Sequence, residues 1–192
     1  MSVQFEYQQY TVRRKVMQLL GATFHVFDPN NQVVMYSKMK AFKLKEDIRI
    51  YSGEDMENEL LTIQARQILD VSAAYDVTDA TTGQKVGALR REGLKSILKD
   101  EWTILDVNDQ EIGKIKEDKM WLALVRRFLS GLIPQTYEVE VGGTPVGTMK
   151  QNVNPFVTKI AVDLTPDTQG LLDKRLGVAA AILMCAVEGK QR

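Results

Sequence analysis

The sequence predicts a mainly-β domain: a closed antiparallel barrel of about twelve strands that encloses a hydrophobic C-terminal helix. Two observations predict it. A strand–turn–strand pattern recurs along most of the chain, at the spacing of about 8–12 residues found in sandwiches and barrels. Near the end, one segment is apolar in every direction and must be surrounded.

Four units carry the recurring pattern. Phe24-His25-Val26-Phe27 meets Asp28-Pro29-Asn30-Asn31 and returns as Gln32-Val33-Val34-Met35-Tyr36. Tyr75-Asp76-Val77 meets Asp79-Ala80-Thr81-Thr82-Gly83 and returns as Lys85-Val86-Gly87-Ala88-Leu89. Trp102-Thr103-Ile104-Leu105 meets Asp106-Val107-Asn108-Asp109 and returns as Glu111-Ile112-Gly113-Lys114-Ile115. Tyr137-Glu138-Val139-Glu140-Val141 meets Gly142-Gly143 and returns as Pro145-Val146-Gly147-Thr148-Met149. In each, an aromatic opens an extended run and Asp, Asn or Gly makes the reversal. Direct hairpins give antiparallel neighbours and leave no room for crossover helices. Further extended runs fall near 10–19, 45–51, 58–64 and 157–164. The last alternates well, with Ile160, Val162 and Leu164 on one face and Lys159, Ala161 and Asp163 on the other. An open sheet of this many strands leaves two raw edges, and closure removes both.

Two segments depart from the strand pattern. Residues 119–132 have helical spacing, with Trp121, Leu122, Val125, Phe128, Leu129 and Leu132 on one face, Arg126 and Arg127 off it, and Pro134 beyond. Residues 171–187 form the second. Its uncharged stretch 176–187 is roughly 18 Å of helix, too short for about 30 Å of bilayer hydrocarbon. Protein burial is the remaining option, and Ala179, Ala180 and Ala181 suit a narrow interior. Residues 1–9 form an N-terminal extension with freedom to flex, and 10–192 a single barrel domain.

Composition restricts function. Lys plus Arg and Asp plus Glu number 25 each, so the chain lacks the overall positive field of a nucleic-acid binder. A single cysteine excludes an internal disulfide and multi-cysteine metal sites, and fits a reducing compartment. The first residues show no secretory pattern and no run is long enough for a transmembrane helix, so the expected location is cytoplasmic, with peripheral membrane attachment compatible.

No catalytic centre is expected. His25 lies in a strand between Phe24 and Val26, and Cys185 lies in the apolar helix, where burial keeps a thiol inert. Neither a dinucleotide fingerprint nor a P-loop is present, and no cofactor is expected. Asp28-Pro29-Asn30-Asn31-Gln32 and Asp106-Val107-Asn108-Asp109 resemble the opening of a calcium loop, but lack its Gly and closing Glu; they read as hairpin turns. No metal site is assigned.

In order along the chain, Tyr10-Thr11-Val12-Arg13-Arg14-Lys15, the hairpin units, Tyr137-Glu138-Val139, Gly142-Gly143, Gly147, Asp163-Leu164 and Lys174-Arg175-Leu176 before an Ala-rich helix resemble the LURP-one-related family of the tubby-like superfamily. The likeness spans roughly residues 10–188 and implies a twelve-stranded barrel around a central helix. Within the superfamily, tubby proteins bind phosphoinositides and scramblases are linked to lipid movement and calcium. Asp163, Asp167 and Asp173 lie where scramblases carry an acidic segment, although acids near a helix N-terminus are expected in any case.

A membrane-surface role then rests on basic clusters. Lys38, Lys40, Lys43 and Lys45 surround Phe42, and Arg90, Arg91, Lys95 and Lys99 surround Leu94. Brought together, they suit anionic phospholipid head groups; kept apart, they are edge-protecting charges. The function expected is a non-enzymatic binding domain for an anionic membrane surface. A protein-interaction scaffold and a scramblase-like lipid-handling protein are the alternatives.

Overall fold

Apolar–polar alternation with period two gives every strand one face toward a core and one toward water. In the computed structural model of the chain, which describes residues 2–17, 21–39, 47–66, 74–91, 101–117, 135–152 and 157–188, twelve such strands are formed. They are β1 (Gln9–Met17), β2 (Gly21–Phe27), β3 (Val33–Met39), β4 (Ile48–Tyr51), β5 (Glu59–Ala65) and β6 (Ala74–Asp79). After them come β7 (Lys85–Arg91), β8 (Glu101–Leu105), β9 (Glu111–Glu117), β10 (Thr136–Val141), β11 (Thr144–Gln151) and β12 (Thr158–Asp163). Each pairs antiparallel with the next in sequence. β1 pairs with β12 to close the barrel, with Tyr10 opposite Val162 and Val12 opposite Ile160.

The hairpins explain how a flat pattern closes. β2–β3, β4–β5, β6–β7, β8–β9 and β10–β11 all turn at one end of the barrel. In each, the register shifts by a bulge just before the turn, at Val26/Phe27, Ile50/Tyr51, Val77/Thr78, Ile104/Leu105 and Val139/Glu140. Bulges raise local twist and bend the strand, which suits a barrel rim. Three of the turns share one chemistry. Asp28, Asp79 and Asp106 each donate their backbone N–H across the turn, to Gln32, Gln84 and Gln110, at 2.9 Å. Their carboxylates accept backbone N–H groups from the turn itself.

The return strands carry a second recurring device. A Cβ added to Gly87, Gly113 or Gly147 would lie 2.4, 2.2 or 2.5 Å from a carbonyl oxygen of the neighbouring strand. At these three places the wall closes too tightly for any side chain.

The helix α1 (Lys174–Glu188) runs through the barrel, starting from the turn end. From Val178 to Ala186 every residue is buried, at 0 or 1% exposed, and α1 packs against β1, β7 and β12. The apolar segment read as 171–187 thus forms helix from Lys174 onward. Residues before it fasten the entrance. The Asp167 carboxylate accepts the N–H groups of Leu171 and Leu172 at 2.8 and 2.9 Å. Arg175 donates to Asp173 and, at 2.6 Å, to Asp79 of the β6–β7 hairpin. Residues 2–9 also lie against the barrel: Val3–Phe5 form a 3-10 turn, Phe5 is buried in the core, and Lys174 Nζ donates to the Glu6 carbonyl. The amphipathic segment 119–132 lies outside the described residues.

The wall's outward positions carry charge (Arg13, Arg49, Lys114, Glu138), while its interior is apolar. That is the polarity of a barrel in water, the reverse of one embedded in lipid. Among the described residues no helix is long and apolar enough to cross a membrane.

Truncation before Leu171 should abolish cooperative folding. The removed side chains of Leu176, Val178, Ile182, Leu183 and Met184 are each buried, at about 1.5–3 kcal/mol apiece, against a typical domain margin of about 5–15 kcal/mol. A truncated chain with native β-type circular dichroism and a sharp melt would refute the assignment of α1 as core. A second expectation concerns acid. Burial alone would raise the Asp79 pKa, but hydrogen bonds from Thr81 and Arg175 outweigh it and hold the carboxyl below its usual range. A depressed carboxyl pKa stabilises the fold above the unfolded value, about 3.9, and that contribution disappears as pH falls through the folded value. Asp79→Asn should therefore lower stability at neutral pH and shrink its loss below about pH 4, as measured by urea unfolding across pH.

Candidate functional site

The two basic clusters read from the sequence fall on the barrel as follows. Lys38 sits exposed near the end of β3, and Arg90 and Arg91 end β7; both strands end away from the hairpin turns. β4, β5 and β6 lie between them, so they share a barrel end but not a contiguous patch of wall. Arg90 is moreover 3.7 Å from the Glu111 carboxylate. Lys40, Lys43, Lys45, Lys95 and Lys99 lie outside the described residues.

Closure produces a different grouping. On β1, Arg13 and Lys15 point outward. On β12, Lys159 stands directly opposite Arg13; on β11, Lys150 stands opposite Ala161 of β12. On the other flank, Lys15 is opposite Thr23 of β2, which is opposite Lys38 of β3. Five exposed cations, Arg13, Lys15, Lys38, Lys150 and Lys159, thus stand on the outer faces of β11, β12, β1 and β3, within the run of adjacent strands β11-β12-β1-β2-β3. None of the five makes an ion pair among the described residues. Carboxylates border this face at Asp163, toward the turn end and bonded by Gln9 and Thr165, at Glu138 on β10, and at Glu54, which lies 2.9 Å from His25, the residue of β2 opposite Arg13.

The rest of the wall is organised oppositely. Arg49 pairs with Glu59, Lys114 with Glu101 and Glu111, and Lys116 with Glu140. Arg66 and Lys85 share Asp76 and Asp109 in a four-membered network. Hydrogen bonding to Arg66, then to Lys85, lowers the Asp76 pKa against the opposing effect of burial. From β4 to β9, cations are neutralised by neighbours, whereas across the closing seam they are left to solvent. Uncompensated charge on one face makes a local field that a net charge of zero conceals.

The remaining candidates are occupied internally. His25 Nε2 lies 2.9 Å from Glu54 Oε1, with its ring against Phe27 and Tyr36. Cys185 is wholly buried in α1. Asp28 and Asp106 cap their own turns, and Asp163, Asp167 and Asp173 accept bonds from Thr165, from Leu171 and Leu172, and from Arg175. Among the described residues no three acids, histidines or cysteines gather closely enough to hold a metal ion.

These features define the class: an antiparallel barrel wound round its own C-terminal helix, in the tubby-like manner. The chain belongs to the LURP-one-related family, whose profile matches residues 33–184. The X-ray structure of a protein from Arabidopsis thaliana has the same fold, with a TM-score of 0.51 and 12% identity, covering 95% of this chain and 92% of that one. At that identity the likeness concerns fold alone. No curated protein matches the sequence. Lys38, Lys150 and Lys159 fall inside the stretch matched by the family profile, and Arg13 and Lys15 before it.

Like charges directly opposite on adjacent strands are destabilising. Lys159→Glu, which turns the Arg13–Lys159 pair into an attractive one, should raise stability by about 0.5 kcal/mol at low salt, an effect that fades as salt rises. Urea unfolding of the variant and parent at two ionic strengths checks this; a variant less stable than the parent would show that the pair is compensated elsewhere.

Proposed function

We propose that this chain is a non-enzymatic binding domain that docks reversibly on anionic phospholipid surfaces through the cationic face of β11-β12-β1-β2-β3. The observation that carries the reading is that, among the described residues, Arg13, Lys15, Lys38, Lys150 and Lys159 have no carboxylate partner, whereas Arg49, Arg66, Lys85, Arg90, Lys114 and Lys116 do. Basic side chains near an anionic membrane contribute about 1 kcal/mol each. Five of them on one face support reversible, salt-sensitive attachment, without insertion. A membrane fits better than nucleic acid because the chain as a whole is neutral. Scramblase-like lipid movement has less support, since α1 fills the interior along its length.

Sedimentation with vesicles of phosphatidylcholine alone, or with phosphatidylserine added, tests this. Parent protein should pellet only with the anionic vesicles and be released as salt rises. The variant Lys15→Glu/Lys38→Glu/Lys159→Glu should lose most of the binding while melting cooperatively and no lower than the parent. Equal pelleting on neutral vesicles, or binding unaffected by the triple variant, would overturn the assignment. In the latter case, a partner captured equally by parent and variant would favour the protein-scaffold alternative.

A further inference from the structure

Behind the cationic wall, on the inner side of the same strands, three buried polar atoms have no hydrogen-bond partner among the described residues: Arg14 Nε, Ser37 Oγ and Gln151 Oε1. Arg14 points inward between its exposed neighbours Arg13 and Lys15 and is 7% exposed. It pairs no carboxylate among the described residues. Among the described residues, Cys185, in the last turns of α1, is the ionisable group that acts on it, and burial lowers the Arg14 pKa more than that neighbour restores it. Arg14 is opposite Phe24 on β2, which is opposite Ser37 on β3. On the other flank it is opposite Thr158 on β12, and Gln151 of β11 is opposite Ile160 of that strand. All three polar groups therefore line one arc of the interior, toward the end of the barrel where α1 terminates.

This arrangement departs from the rest of the molecule. At the turn end, the buried carboxylates of Asp79 and Asp167 are fully engaged by N–H and O–H donors. A buried guanidinium N–H left without a partner, on a side chain that pairs no carboxylate among the described residues, is a costly polar defect, and folds tolerate it where something else completes the site. Guanidinium geometry favours oxyanions, which it grips through two parallel N–H bonds. The Ser37 hydroxyl can donate to a further oxygen, and the free Gln151 Oε1, an acceptor, suits the P–OH of a monoprotonated phosphate.

We infer that Arg14, with Ser37 and Gln151 beside it, forms an interior receptor for a phosphate oxyanion at the barrel end opposite the hairpin turns. The inference stands on inward-facing residues and holds whether or not the outer wall docks on membranes. The phosphate has two possible sources, a small soluble phosphate ester or the head group of a phospholipid, and they are separable by experiment.

The test is thermal unfolding of the full chain in a buffer without phosphate, sulfate or carboxylate. Inorganic phosphate, glycerol 3-phosphate or a short-chain phosphatidic acid below its micelle concentration is then titrated in, at constant ionic strength set with chloride. A ligand that binds the folded state raises the melting temperature progressively with its concentration. Stabilisation by phosphate and glycerol 3-phosphate alike supports the receptor with a soluble ligand, and tenfold or greater preference for phosphatidic acid, about 1.4 kcal/mol, supports it with a head group. In either case Arg14→Met and Gln151→Leu should abolish the response, while Lys159→Glu should retain the response to the two soluble phosphates. Arg14→Met should also melt no lower than the parent in anion-free buffer, because it removes an unpaired buried charge. Should that variant fail to fold, the parent and Gln151→Leu still decide the matter. A parent melting temperature indifferent to all three compounds would overturn the proposal and leave Arg14 a structural residue solvated by internal water. A response unchanged in Gln151→Leu and Arg14→Met would equally overturn it.

Discussion

The structure depends on one constraint: a helix with no polar face needs a complete wall around it. Residues 178–186 are buried on every side, so a single sheet laid against α1 would leave half of it in water. Twelve short antiparallel strands supply the enclosure, and closure of β1 on β12 completes it. The other unusual features follow from the enclosure. Alanines at 179–181 keep the helix slim, and Gly87, Gly113 and Gly147 allow adjacent strands to approach within reach of a neighbouring carbonyl. Five bulges curl the hairpins at the end where the helix enters. Arg175 then ties the entering helix to the β6–β7 turn through Asp79, linking the plug to the wall at the point where it could most easily pull away.

Much of this was legible in the chain. The units at 75–89 and 102–115 contain both devices of the barrel, since their aspartates cap the turns and Gly87 and Gly113 mark close approaches. The all-apolar helix was legible by elimination, being too greasy for water and too short for a bilayer. The functional surface was far less so. Arg13 and Lys159 are nearly the full chain apart, and their juxtaposition exists only because the barrel closes between its first and last strands. The alternation on β12 already placed Lys159 on the face opposite Ile160 and Val162. What no local pattern supplies is that this face continues onto β1. The lysine clusters visible as runs depended on adjacency in sequence, whereas adjacency across strands groups Lys38 with Lys15 instead.

Arg13-Arg14-Lys15 makes the point most sharply. As a sequence it is a short basic run, the sort read as a solvated face. In a strand, period two divides it: Arg13 and Lys15 go to the outer surface and Arg14 into the core. One tripeptide therefore feeds two features that composition would merge, an outer field and an inner, unpartnered guanidinium. Reading the alternation through the charges, and not only through the apolar residues, would have separated them.

Both features oppose stability. Arg13 against Lys159 sets like charges across a ladder, and Arg14 buries a charge beside apolar Phe24 without an anion. Elsewhere the same chain resolves such conflicts consistently, pairing the wall cations from β4 to β9 and saturating its buried aspartates. Departures from local consistency that cluster on the two sides of one strand, while the remainder of the fold obeys it, are what binding sites leave behind when the binding partner is absent. Random imperfection would scatter around twelve strands. Here the departures converge on β1 and its immediate neighbours, where the fold closes and α1 terminates, and this convergence is what both proposals rest on.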